Sequence, residues 1–128
     1  MRAKWIPVKN NYELSDMALV TVQIKGSKGE KCFKVELGLP GWGLQNGTVA
    51  YMPLPGNIIQ EPTAWKSEYR GDKLPSKDTA CMVQLQNNEG KFKIIDSIYL
   101  SKENKYLRIP NGWEVIGWMN YPKPYAVS

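Results

Sequence analysis

The phrase VAYMPLP at residues 49–55 returns in altered form as IGWMNYP at residues 116–122, and this echo is the strongest constraint on what the chain can fold into. An internal duplication should match in order along its whole length. It does so at several places. Trp5 and Leu14 are answered by Trp65 and Leu74, with the same spacing in WIPVKNNYEL and WKSEYRGDKL. The run VTVQI at 20–24 is answered by CMVQL at 81–85, and KGEKCFKV around Gly29 by NEGKFKII around Gly90, the first copy having the longer turn. Each copy therefore reads Trp, Leu, strand, glycine turn, strand, variable loop and a strand closing in aromatic-Met. The expected division is residues 1–55 as a first repeat, a proline-containing connector at 56–64, and residues 65–128 as a second repeat. The connector PLPGNIIQEPTA carries three prolines and a glycine, which argues against a helix there.

Within the copies the patterning is that of strands. In ALVTVQIK, Ala18, Val20, Val22 and Ile24 alternate with Thr21, Gln23 and Lys25, and KCFKVEL places Phe33, Val35 and Leu37 on one face. Glycines in KGSKGE suit a hairpin. In the second copy Cys81, Val83 and Leu85 are expected to pack with Phe92 and Ile94, while Ile95, Ile98 and Leu100 predict a bend or bulge in that strand. No segment carries a helical stripe. The fold class expected is all-β, with two small antiparallel three-stranded units from an internal duplication. These would pack as one compact pseudo-twofold protein, with a short helical turn at 11–18 or 72–80. A duplicated chain of this kind would also form a groove between its halves, where ligands often bind.

Composition narrows the chemistry. Histidine is absent from the 128 residues, which removes the commonest general base and imidazole ligand. Cys32 and Cys81 stand far apart, in no metal-binding or disulfide pattern, and read as packed free thiols. The acidic residues, Asp16, Asp72, Asp78 and Glu114 among them, show no catalytic spacing. The expectation is a protein without enzymatic activity, cofactor or metal. No apolar run approaches the ~18 residues that span a bilayer, and the opening MRAKWIPVKN lacks an unbroken apolar signal stretch. A cytoplasmic protein without a membrane partner is expected.

Five tryptophans invite a reading as contact platforms. Trp5, Trp65 and Trp118 recur between copies and are assigned to the two small cores. Trp42 lies in GLPGWGLQNG, where Gly41 and Gly43 leave little backbone to bury it, so it is a candidate anchor for a partner or ligand. Trp113, beside Asn111 and Gly112, is its rough counterpart. The glycine loop lacks the lysine pattern and following helix of a phosphate cradle. Lys31, Lys34, Lys91 and Lys93 flank Phe33 and Phe92 and suggest a basic stripe for single-stranded nucleic acid. Solubilising lysines on an exposed sheet face account for the same pattern, within a net charge of +5. Partners left open are another protein, a small-molecule ligand or nucleic acid, and a homodimer is compatible.

Trp5-Ile6-Pro7-Val8 and Tyr51-Met52-Pro53-Leu54-Pro55 resemble the landmarks of the domain of unknown function family 551. That family opens with W-I-x-V, closes with W-M-P-L-P-x-P, and occurs in bacteria and especially in phages and prophages. Leu19-Val20-Thr21-Val22 looks like its strand, while Leu74-Pro75, Trp118-Met119 and Pro122-Lys123-Pro124 look like the same landmarks in eroded form. Tyr51 replaces the usual Trp, Asn120-Tyr121 replaces Pro-Leu, and Ser15 stands where the second copy has Pro75. The family has no assigned chemistry, so the resemblance implies a setting and not an activity. It implies a phage or prophage accessory protein, whose sharpest reading is interference with a host defence system.

Overall fold

A computed structural model describes residues 4–126. The fold is all-β, with two four-stranded antiparallel sheets and only isolated 3-10 turns. The chain divides into two units, the first running to Leu54 and taking in the segment from Pro122, the second being Pro55–Tyr121. No helix among the described residues is long and apolar enough to cross a membrane.

The first sheet contains β1 (Ile6–Pro7), β2 (Ala18–Lys25), β3 (Lys31–Gly38) and β4 (Thr48–Pro53), in the order β1-β4-β2-β3. The second contains β5 (Thr79–Asn87), β6 (Phe92–Leu100), β7 (Lys105–Tyr106) and β8 (Trp113–Asn120), in the order β7-β6-β5-β8. Three long strands per sheet are those expected. The fourth in each case is a two-residue edge, β1 on β4 and β7 on β6, too short to leave a periodic signal.

In both sheets the central strand carries a hairpin partner on one side and the closing strand on the other, and the echoed phrases occupy the same place. The ladder between β2 and β4 shifts at Thr21/Val22, leaving Val49 as the extra residue; the ladder between β5 and β8 shifts at Gln84/Leu85, leaving Ile116. Tyr51 then faces Val20 and Met52 faces Leu19, just as Trp118 faces Val83 and Met119 faces Met82. Each phrase thus spells a bulge followed by three paired residues. The bulge expected in β6 is absent, since its register with β5 runs unbroken from Thr79↔Tyr99 to Gln86↔Phe92.

Register also overturns the expected single inward face. Val20 lies opposite Glu36 and Thr21 opposite Val35, so the apolar rows Ala18/Val20/Val22 and Phe33/Val35/Leu37 point to opposite faces of the sheet. Both faces of β2 are covered from Ala18 to Val22, whereas Ile24 is 43% exposed. One face forms a core of Leu14, Ala18, Val20 and Val22 with Trp42 and Tyr51 against it. In the second unit Cys81, Val83, Leu85, Tyr99 and Trp118 make the core, while Gln84 and Met82 are buried on the reverse face. Trp65 and Trp118 are buried as expected, and Trp65 donates its indole N–H to the Gly56 carbonyl at 2.8 Å.

The segments 11–18 and 72–80 contain no helical turn. The 3-10 turns fall instead at Leu44–Asn46, Pro62–Ala64 and Glu68–Arg70. Proline begins the second of these, and Gly47 and Gly71 close the first and third at φ 81° and 84°. The segment 122–126, counted with the second repeat by sequence, joins the first unit. Trp5 donates its indole N–H to the Lys123 carbonyl at 3.0 Å, and the Tyr125 amide donates to Thr21 Oγ1 at 2.9 Å.

Candidate functional site: an apolar groove in the second unit

A concavity lies within the second unit, on the face of its sheet opposite the Cys81 core. Gln86, Phe92 and Glu114 pair across β5, β6 and β8 there, at the hairpin end of the sheet. Ile116, the bulge residue of β8, joins them. Two ordered turns build the walls. In the first, Asn57 Oδ1 accepts the amides of Ile59 and Gln60, both at 2.9 Å, and the Ile58 amide donates to the buried Gln84 side chain at 2.7 Å. This ties the connector to the central strand and sets Ile58 and Ile59 over the sheet.

The second wall is the turn Glu68–Arg70. The Ser67 amide donates to Asp72 Oδ2 at 2.8 Å, which is the main reason the Asp72 carboxyl titrates below its ordinary value; Arg70 beside it acts in the same direction. The Arg70 guanidinium donates to the Pro62 carbonyl at 2.7 Å, to the Trp65 carbonyl and to Asp72 at 3.0 Å. Three of its five N–H donors are thus engaged in bracing the turn against the preceding segment. Tyr69 is left projecting, 70% exposed, with Ile59 at 72% on the other wall. The Glu114 carboxylate interacts with the Tyr69 hydroxyl and raises the phenol above its ordinary range.

The resulting groove has a volume of about 460 Å³, with Phe92, Ile58 and Ile116 as apolar lining. Glu114 supplies its negative charge, while the positive charge of Arg70 is neutralised by Asp72. Such an arrangement can hold an apolar side chain with a neighbouring cation or hydrogen-bond donor. Among the described residues no group of three or more His, Cys, Asp or Glu could hold a metal ion.

None of the residues proposed from sequence as binding groups lines this groove, although Phe92, expected in the core, and Glu114, read as an acidic residue without catalytic spacing, do. Gly41 is exposed at φ 93°, but Trp42 is half-buried against the Leu14 and Val20 core. The loop is pinned, not free: the Gly41 amide donates to the Leu14 carbonyl and the Leu14 amide to the Trp42 carbonyl, each at 2.8 Å, and Gly43 forms a bridge with Glu13. Gly43 is buried, and a Cβ built there would lie 2.7 Å from the Tyr12 carbonyl oxygen, so the close approach needs glycine. Leu39 and Leu44, at 49% and 51%, are the exposed apolar side chains flanking that loop. Trp113 is half-buried against the second core, with Lys93 Nζ 4.4 Å from its ring centroid, and Asn111 is exposed in the preceding turn.

The lysines do not form one row. Lys31 shares the Phe33 face, whereas Lys34 shares the Val22 face and pairs with Glu36 at 3.1 Å. Lys91 pairs with Glu89 at 3.5 Å and Lys93 is held over Trp113, so three of the four charges are locally engaged. Sequence reading missed Ile58, Ile59 and Tyr69. The adjacent isoleucines inside a polar, proline-bounded connector were the available signal, because a linker has no need of them.

Comparison with known proteins finds no matching family model, no matching curated protein and no matching solved structure.

Proposed function

We propose that this is a non-enzymatic binding protein that engages a partner polypeptide through the groove of its second unit. The carrying observation is the pair Ile59 and Tyr69, 72% and 70% exposed on ordered turns above an apolar lining. Large apolar side chains held in place by hydrogen-bonded backbone lose little freedom on binding, which favours them as contact anchors. The Glu114 carboxylate suits a partner with an apolar residue beside a basic one. The resemblance to a phage and prophage family supplies the rest of the reading: a duplicated accessory protein acting in the host cytoplasm on a host protein, with inhibition of a defence system as its sharpest form. Nucleic acid is the weaker reading, since the lysines it needs are largely paired.

Native mass spectrometry of the tagged protein from host lysate tests this, alongside the variants Ile59→Asp and Tyr69→Ala. A discrete added polypeptide mass on the wild type, weakened roughly tenfold or more by either variant, is the expected result. An added mass of a few hundred daltons would replace the polypeptide with a small ligand. Retention of every bound species by both variants would remove the groove from the reading.

A further inference from the structure

β3 is an eight-residue strand at the edge of the first sheet, paired with β2 on one side and with nothing on the other among the described residues. The other sheet edges are shorter or partly covered: β1 lines β4, β7 lines the end of β6, and Lys66 bridges β8 at Trp118. An open edge of this length is a template for another strand.

Which backbone groups it offers follows from the ladder. The Gln23 amide donates to the Gly47 carbonyl, away from β3, so Gln23 and Phe33 form a pair without mutual hydrogen bonds. Alternation then turns the N–H and C=O groups of Phe33, Val35 and Leu37 outward.

The sequence of this edge is complementary to itself. Reading Phe33-Lys34-Val35-Glu36-Leu37 against its own reverse places Phe33 opposite Leu37, Lys34 opposite Glu36 and Val35 opposite Val35. At the flanks Cys32 meets Gly38, where there is no side chain to clash. The outward groups of Phe33, Val35 and Leu37 would all be paired, and Lys34 and Glu36 would fall at the closer, non-hydrogen-bonded positions that suit cross-strand ion pairs. Shifting the centre to Lys34 sets lysine against lysine, and shifting it to Glu36 sets glutamate against glutamate. Charge therefore selects both the occupant and the register. We propose that β3 pairs antiparallel with β3 of a second copy of this chain, about a twofold axis at Val35, to give a sheet continuous across a homodimer.

Sedimentation equilibrium on charge variants decides it. Wild type is expected at twice the chain mass, while Lys34→Glu or Glu36→Lys alone sets like charges opposite each other twice over and weakens association roughly tenfold or more. An equimolar mixture of the two single variants should recover a dimer, because each then meets its opposite charge, and so should the double swap. In the wild type, amide protons of Phe33, Val35 and Leu37 should gain exchange protection as concentration rises. A monomeric wild type, single variants that associate as wild type does, a mixture that stays monomeric, or protection independent of concentration would each overturn the proposal.

Discussion

Cys81 shows how one residue ties burial to a measurable response. It sits on the central strand of the second unit with no exposed surface, and burial pushes its thiol up from 9.0 to about 11, the Asp96 charge adding to the rise and a Tyr99 backbone hydrogen bond opposing it. The folded protein thus holds this proton more tightly than the unfolded chain does. The associated stability is fully present below about pH 9 and is lost as pH rises through about 11. Burial raises the Tyr106 phenol in the same cluster, which extends the loss to higher pH. Melting temperature should therefore fall from pH 9 upward in wild type and fall less steeply over pH 9–11 in Cys81→Ala, compared as differences from each protein's own value at pH 8. Parallel curves for the two proteins would refute this role for the thiol. Reading Cys81 as a packed free thiol followed from its distance from Cys32 and the lack of any metal-binding or disulfide pattern; the depth of its burial did not, because that depends on strands far away in sequence.

At the scale of elements, Gly38 carries a prediction that no strand pattern contains. It closes β3 opposite Ala18, and a Cβ built there would lie 2.5 Å from Val20 Cγ1 and 3.1 Å from Leu14 Cδ1. Gly38→Ala should force the Leu14, Val20 and Val22 core to shift, costing about 1–3 kcal/mol in denaturant unfolding. A change within experimental error would mean that the core yields freely at this strand end. The strands were legible because period-two alternation and glycine turns act over a few residues. VAYM and IGWM read alike because a bulge followed by three paired residues makes the same demands in both sheets. The inward faces were not legible. Pairing Val20 with Glu36 and Thr21 with Val35 is set by the length of the Gly26–Glu30 turn, and a register that opposes the two apolar rows yields a sheet apolar on both sides. Trp42 misled for a related reason: glycines on either side suggest a free loop, yet Gly43 is there to let the chain approach Tyr12. The groove was hidden because Asn57 and Asp72, polar residues that read as linker and surface, are the groups that fix its walls.

At the scale of the whole molecule, the order of segments along the chain differs from their membership of units. The segment from Pro122 follows β8 directly but belongs with the first unit, where the Lys123 carbonyl accepts from Trp5 and the Tyr125 amide donates to the buried hydroxyl of Thr21. Thr21 has no exposed surface, so removing its donor strands a polar atom beside a central strand. Ending the chain at Tyr121 should therefore destabilise the first unit by about 1–3 kcal/mol, on the scale of two broken hydrogen bonds, one of them leaving a buried acceptor unpaired. Hydrogen exchange locates the effect: amides of β2 and β4 should exchange faster in the truncated chain, while those of β5 and β6, whose ladders the segment does not touch, should keep their protection. Equal acceleration in both sheets would show that the two units open together, so that one cooperative transition spans the chain. Acceleration in neither would show that the two hydrogen bonds contribute nothing, leaving Thr21 and Trp5 satisfied by water when the segment is gone. The expected pattern follows from local stability, which depends on the hydrogen bonds and packing that hold each unit and not on the position of a cut in the sequence.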